Sequence, residues 1–297
     1  MQYRSRRETY IYITRSELRE KEEKIISASR RTDIPAFYSE WFMNGIRQGY
    51  CTVPNPYNAD QVSHVSLKPQ DVQAIIFWTR NPKPLIRYLP ELDRMGYKYY
   101  FNYTIIGYPR SIEPKSPPIG EAVKTFQELS SLVGKDRVIW RYDPILYSNQ
   151  TPIEWHIRQL SSLIKKLSPY TKRLIISIID PYRKTKIRMG KAASEDLYIA
   201  ADAFEVSAYM PLLEWIGNAA IDSGLEALSC AEEVGLERFG IKHGKCIDDE
   251  LIKKIWGIAV PKRKDPAQRR HCGCVVSKDI GVNSTCLFGC RYCYANS

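Results

Sequence analysis

The sequence predicts an α/β fold, a partial (β/α)6 TIM-like barrel followed by a cysteine-rich C-terminal extension. Three observations predict it. Six short apolar or β-branched runs each lead through a polar junction into a helical stretch, and several are continuously apolar, as strands covered on both faces are. No G-x-G-x-x-G follows the first run and no P-loop occurs, which counts against a nucleotide-binding doubly wound sheet. Five of the eight cysteines fall between Cys272 and Cys293, after the alternation has ended.

In chain order, residues 1–24 read as an accessory arm, with a β-prone run at 10–14 and a charged stretch after it. The first barrel unit is a strand at 25–29, the junction Arg30-Arg31-Thr32-Asp33 and a helix over 38–49. Residues 51–68 read as irregular around Pro54-Asn55-Pro56, with a strand at 62–67. The second unit joins a strand at 74–78 through Thr79-Arg80-Asn81-Pro82 to a helix over 84–95. The third has a strand at 99–103 closed by Thr104, a long loop with Glu113-Pro114, and a helix over 120–133. The fourth strand starts at 138 and runs into Arg141-Tyr142-Asp143-Pro144, before a helix over 152–167. The fifth strand, 174–179, ends at Asp180-Pro181 and is followed by a basic loop to Lys191 and helices within 194–223. The sixth unit is a strand at 225–230, Glu232 and a short helix over 248–256. The barrel domain is therefore expected over 25–257. Residues 258–297 read as a basic linker (Lys262, Arg263, Lys264, Arg269, Arg270) that crosses the body and delivers the cysteine-rich end.

A chain of 297 residues can bury a sizeable core. It has no apolar run of about eighteen residues and no apolar signal segment, so no membrane partner and a cytoplasmic location are expected. The net charge of +11, from 44 basic and 33 acidic residues, permits a polyanionic partner such as nucleic acid. The basic loop after Asp180, with Tyr182 available to stack on a base, points the same way. No Ser-His-Asp pattern or H-E-x-x-H motif supports a hydrolase.

In α/β barrels chemistry gathers where the C-terminal ends of the strands meet the helices. Those ends carry Arg30 and Asp33; Thr79, Arg80 and Asn81; Asn102 and Thr104; Arg141 and Asp143; Asp180; Cys230 and Glu232. Asp, Asn and Thr also serve as helix caps. As a set, however, Arg30, Asp33, Arg80, Arg141 and Asp143 are the candidate catalytic residues. Arg80 and Arg141 sit within aromatic runs, where a guanidinium suits a carboxylate or phosphate.

The densest signal is Cys286-Leu287-Phe288-Gly289-Cys290-Arg291-Tyr292-Cys293, a C-x3-C-x2-C spacing. Three thiolates on one loop can each hold one iron of a cubane cluster and leave the fourth iron open. Zinc is the alternative, with Cys272, Cys274 or His271 as fourth ligand, although the paired C-x2-C hooks of zinc ribbons are missing. Cys230, Cys246, Cys272 and Cys274 make a complete ligand set for an auxiliary [4Fe-4S] cluster; Cys230 and Cys246 also read as ordinary buried thiols. Cys51 reads as structural, and His64, His156 and His243 as packing or surface residues.

The cysteine loop, with Tyr292 just before its third cysteine, resembles the signature of the radical S-adenosylmethionine (SAM) superfamily. Thr79-Arg80-Asn81-Pro82, Tyr103-Thr104, Glu113-Pro114 and Arg141-Tyr142-Asp143-Pro144-Ile145 come in the order used by its spore-photoproduct-lyase-like branch. From residue 25 onward the chain is also similar to a family of domains with a C-terminal cysteine motif. The resemblance implies a [4Fe-4S] cluster on Cys286, Cys290 and Cys293, with SAM chelated at the open iron. It implies reductive cleavage of SAM to a 5′-deoxyadenosyl radical that takes hydrogen from a substrate. Tyr292, Thr79, Asn102, Thr104 and Arg141 would contact the cofactor, and a flavodoxin or ferredoxin would supply the electron. The Gly-Gly-Glu segment that commonly holds the SAM amino group is missing. The superfamily carries its cysteine loop near the start of the barrel, whereas here it lies at the other end of the sequence. Residues 279–285 lead into Cys286 as a first strand would, so the tail is expected to fold back beside the first unit.

Two other functions remain open at this point. One is a nucleic-acid-binding protein with a structural zinc or iron–sulfur site, which could also be a radical enzyme acting on nucleic acid. The other is a two-cluster electron-transfer protein.

Overall fold

The computed structural model describes residues 24–55, 58–180, 183–192, 197–199 and 205–296. The expected N-terminal arm, apart from Lys24, lies outside the described residues, as do Pro181 and Tyr182 of the basic segment.

Strands β1 (Lys24–Ala28), β2 (Tyr50–Asn55), β3 (Asn58–Ser66), β4 (Val72–Thr79), β5 (Tyr99–Thr104), β6 (Val138–Ile145), β7 (Arg173–Ile178), β8 (Glu226–Ser229), β9 (Lys242–His243) and β10 (Lys278–Asp279) form two sheets. The large one has eight strands in the order β10-β1-β4-β5-β6-β7-β8-β9. All its pairings are parallel. Apart from β10, its strands stand side by side in chain order. The fold is thus α/β, with a parallel sheet flanked by helices. The six expected strands are all present, and two-residue strands add one more at each edge.

Side-chain alternation along each strand divides the core in two. Ile26, Ile75, Phe77, Phe101, Trp140 and Ile176 pack against helices. These include Ser39–Gln48 (Phe42, Met43), Ile119–Val133 (Phe126, Leu129), Ile153–Leu167 (Leu160, Leu163) and Met210–Asp222 (Leu212, Ile216). In each of them the buried residues recur three or four apart, the spacing that puts an apolar stripe on one helix face. Ile25, Ile76, Tyr100, Ile139, Ile175 and Leu228 belong to a second cluster. It is completed by Leu251 and Ile252 of the helix Asp249–Trp256 and by Val260 and Val275. That helix is delimited at both ends: the Asp248 carboxylate accepts from Glu250 N and Leu251 N, and Gly257 takes a left-handed φ of 70°.

Three local expectations are corrected. The stretch before the expected strand at 62–67 is not irregular: Tyr50–Asn55 and Asn58–Ser66 pair antiparallel as β2 and β3, with Cys51 opposite Val65 and Val53 opposite Ser63, and Cys51, Val53 and Val65 buried. Pro54 is tolerated because a two-stranded sheet has only edges. The helix expected over 84–95 is two short helices, Lys83–Ile86 and Leu89–Arg94. The stretch after Asp180 is not a loop: Arg183–Ala192 is helical, with Thr185 and Met189, four apart, both buried.

The tail returns to the start of the sheet. β10 runs parallel to β1, with Ile26 opposite Lys278 and Ser27 opposite Asp279. Asp279 accepts from Ser27 Oγ (2.5 Å), Ser29 Oγ (2.6 Å), Arg30 N (2.9 Å) and Arg31 Nε (3.0 Å). These partners hold its carboxyl below the usual range although burial pushes the other way. No helix of the described residues is long and apolar enough to cross a membrane.

Candidate metal and cofactor site

The residues after β10 form a tight loop. Gly289 has a φ of 68°, a left-handed conformation that costs glycine no Cβ clash and turns the chain between Cys286 and Cys290. Ser284 N donates to Ala295 O at 2.8 Å and closes the loop at its base. Tyr38 OH donates to Thr285 O at 2.7 Å, Arg291 N to Ile112 O at 3.0 Å, and Phe288 packs on Phe37 with ring centroids 4.6 Å apart. From the helix Arg183–Ala192, Thr185 Oγ1 bonds Tyr292 O at 3.3 Å and Arg188 bonds Cys293 O. Cys286, Cys290 and Cys293 all border one cavity. Burial pushes the Cys286 thiol up to about 11 and the Cys290 thiol up to about 12, opposed by amide bonds from Phe288 and Asp33 to Cys286 and by the charge of Arg80 near Cys290.

Behind the loop stands a buried triad. The Arg80 guanidinium lies 2.8 Å from Glu113 Oε1. The Tyr292 hydroxyl donates to Glu113 and accepts from Arg80. Burial, and then the Glu113 carboxylate, keep the Tyr292 phenol protonated against the pull of Arg80. Asp33 joins this group to the strand ends. Its Oδ2 accepts from Arg80 N at 2.6 Å, and its Oδ1 caps the helix Ile34–Phe37 through Ala36 N at 3.0 Å. Burial raises its carboxyl to about 7.

Arg141, at the end of β6, is also bound internally. It bonds Asp143, whose other oxygen accepts from Ser177, and its Nη1 donates to Cys246 Sγ at 2.7 Å. Burial opposes its charge, but Asp143, Cys246 and Cys230 hold it protonated. Cys246 Sγ lies 3.3 Å from Cys230 Sγ, while Cys246 N and Ile247 N both donate to Cys274 Sγ at 3.3 Å. Among the described residues, no three His, Cys, Asp or Glu side chains are arranged to hold a metal ion. The sulfurs touch one another instead, closer than the roughly 3.8 Å that two thiolates span across a tetrahedral zinc with Zn–S of about 2.3 Å.

These parts line one cavity of about 690 Å³. Arg30, Asp33, Thr79, Arg80, Thr104, Arg141 and Asp143 border it, together with Tyr292 and the cysteines 230, 246, 272, 274, 286, 290 and 293. Its size is within the range of about 300–1,000 Å³ usual for small-molecule sites. Two buried donors at its wall, Arg30 Nη2 and Thr32 Oγ1, have no hydrogen-bond partner among the described residues.

Residues 25–295 match the model of a family described as Domain of unknown function (DUF1848). The chain belongs to that family. No curated protein and no solved structure matches it.

The DUF1848 match runs from β1 to the end of the cysteine loop, so it takes in every site residue named from the sequence. Of the candidate catalytic, cofactor and cluster-ligand residues Asn102 is outside the cavity wall, as are Asn81 and Glu232 from the strand ends. Asn102 Nδ2 donates to Cys246 O at 3.2 Å, so it supports the Cys246 turn. Arg80 and Arg141, expected as anion clamps, have carboxylates of their own in Glu113 and Asp143. Arg30 is freer: it stacks 5.0 Å from the Trp78 ring and lies 3.7 Å from Asp265. His271 is outside the lining, 3.9 Å from Glu233. In this DUF1848 chain, sequence reasoning gave no role to Asp279 and Ser177 or to the pairing of Glu113 with Arg80. From the basic stretch, Arg269 pairs with Asp180, two residues past the end of β7.

Proposed function

We propose that this protein is a radical-SAM-type iron–sulfur enzyme on a partial α/β barrel, whose cysteine loop reaches the barrel mouth from the far end of the sequence. One observation carries the reading: Cys286, Cys290 and Cys293 border the same cavity as Arg30, Asp33, Arg80, Arg141 and Asp143 from the strand ends. The order of β1 and β4–β8 supports the barrel, since a doubly wound sheet reverses its strand order and this one does not. The edge strand β10 gives the loop what it would have after a first barrel strand, a parallel partner in β1.

The residues suit a cluster, in which each thiolate holds a different iron and the three need not meet around one ion. Three thiols share one turn, two backbone amides bond the Cys286 sulfur, and a buried guanidinium offsets negative charge near Cys290. Cys286, Cys290 and Cys293 would hold a [4Fe-4S] cluster and leave one iron for SAM. The chemistry supplied there is one-electron reductive cleavage of SAM to methionine and a 5′-deoxyadenosyl radical that takes a hydrogen atom from substrate. The chain's own part is positional. Tyr292, Glu113 and Arg80 fix the loop, and the thiols give up their protons on loading. Arg30 Nη2 and Thr32 Oγ1 are the donors that a bound molecule would satisfy. The net charge of +11 suits a polyanionic substrate such as nucleic acid, and a flavodoxin or ferredoxin would bring the electron. Reduced thiols of this kind belong in a reducing, cytoplasmic setting.

The test is spectroscopic. Adding SAM to the anaerobically reconstituted, reduced protein is expected to change its low-temperature electron paramagnetic resonance spectrum. A fully loaded protein whose spectrum ignores SAM would overturn the reading. Zinc without iron or sulfide, together with salt-sensitive nucleic-acid binding, would favour a structural metal site instead.

A further inference from the structure

The cavity wall carries a second group of sulfurs that the proposed chemistry does not use. Cys230 follows β8, Cys246 lies in the turn before the helix Asp249–Trp256, and Cys272 and Cys274 come from the segment before β10. Three separate parts of the chain thus bring four thiols together. Cys230 and Cys246 are in sulfur–sulfur contact at 3.3 Å, and Cys274 Sγ accepts from the backbone amides of Cys246 and Ile247 at 3.3 Å. All four border the cavity.

The surroundings are built for negative charge on sulfur. Cys274 receives two backbone amides, and Cys246 receives the Arg141 guanidinium at 2.7 Å. The Arg30 guanidinium borders the same cavity as Cys274. A guanidinium stays cationic and only donates, so Arg141 against the buried Cys246 sulfur matches a thiolate rather than a thiol. The acids nearby already have donors: Asp143 holds Arg141 and accepts from Ser177, and Asp265 faces Arg30. The turn is tight as well. A Cβ on Gly273 would lie 3.1 Å from Lys245 Cγ and 3.2 Å from Gly244 O, so the Cys-Gly-Cys segment packs directly on the turn that presents Cys246.

We propose that Cys230, Cys246, Cys272 and Cys274 ligate a second [4Fe-4S] cluster, with Arg141 as a positioning residue bonded to one of its ligand sulfurs. Four thiolates complete the ligation of a cubane, so this cluster has no open iron and would act as an electron relay or a charged wall for the substrate. Zinc sites of four cysteines use closely spaced pairs on two hooks, whereas Cys230 and Cys246 each stand alone. In either case the sulfurs must move apart on loading: 3.3 Å is too short for two thiolates on one zinc, and two thiolates on different irons of a cubane stand farther apart still.

The inference rests on a different set of cysteines from the SAM reading, and the two fail separately. The experiment is iron and acid-labile sulfide analysis of the anaerobically reconstituted full chain and two variants, with circular dichroism as the folding control. About eight irons and eight sulfides are expected in the wild type, and about four of each in both C286A/C290A/C293A and C272S/C274S. An unchanged wild-type value of about four in the triple variant would leave this inference standing and remove the other cluster. Overturning results are a folded triple variant without iron, one that binds zinc instead, or a wild type with about four irons and a Cys230–Cys246 disulfide. Arg141→Met supplies a second readout, since losing the donated bond and positive charge should lower the reduction potential of the second cluster alone. Equal shifts in both clusters, or none in either, would contradict the assignment of Arg141.

Discussion

Ser27 and Asp279, separated by 252 residues in sequence, are partners in adjacent parallel strands and share a 2.5 Å hydrogen bond from the serine hydroxyl to the carboxylate. The same carboxylate takes Ser29 Oγ, Arg30 N and Arg31 Nε. This residue gathers the densest set of bonds between the tail and the end of β1, seven positions before the first cysteine of the loop.

Asp279→Ala should therefore free the tail without opening the rest of the sheet. Removing a largely buried carboxylate from its arginine typically costs about 3–5 kcal/mol. Urea denaturation should report a loss of that order, and limited proteolysis should cut near Ser277 far faster than in the wild type. Iron uptake by the 286–293 loop should fall in parallel. An Asp279→Ala protein with wild-type stability and iron content would contradict the anchoring role.

Gly281→Ala tests the same junction by crowding. An added Cβ would lie 2.0 Å from Ser29 Oγ and 2.6 Å from Ser29 Cβ. Forced repacking of this kind costs about 1–3 kcal/mol. The shift should be visible as a lower midpoint in urea, and Ser29→Gly in the same chain should restore only part of it, because it relieves the crowding but gives up the Ser29–Asp279 hydrogen bond.

The buried triad gives a graded pair of variants. Tyr292→Phe removes one hydroxyl and leaves the Arg80–Glu113 pair, so a loss of about 1 kcal/mol is expected. Glu113→Ala leaves the Arg80 guanidinium buried without its carboxylate and should cost about 3–5 kcal/mol. Paired denaturation curves test the ordering, and the reverse order would refute the triad as described.

Acid should weaken the fold through His156. Its ring is buried, with Nδ1 2.8 Å from Tyr142 OH and Nε2 3.0 Å from Leu146 O. Burial lowers it to about 4 from 6.5. Between those values the unfolded chain binds a proton that the folded chain does not, so this contribution is complete above pH 6.5 and lost as the pH falls toward 4. About 3 kcal/mol is at stake from a shift of this size. Equilibrium unfolding from pH 7 to 4 should show the decline, and His156→Gln should flatten it.

Much of this architecture was readable in the residues, for reasons that also explain what was not. Ile75-Ile76-Phe77 and Leu174-Ile175-Ile176 announce strands because both faces of the sheet are covered. Lys278–Asp279 is too short to show a period, and its place depends on hydroxyls and arginines far away in sequence. Glu113 is one acidic residue in a loop until the fold brings Arg80 to it. The helix Arg183–Ala192 is masked by its basic composition, with Thr185 and Met189 as the inward positions. The hairpin β2–β3 was legible in the alternation of Cys51 and Val53, but Pro54 spoke against it.

The most direct measurement of the central claim is product analysis after anaerobic reconstitution, with dithionite as reductant and SAM supplied. The account predicts 5′-deoxyadenosine and methionine from the wild type, and neither above background from C286A/C290A/C293A. A wild-type protein that carries its full iron and sulfide yet leaves SAM intact would contradict it.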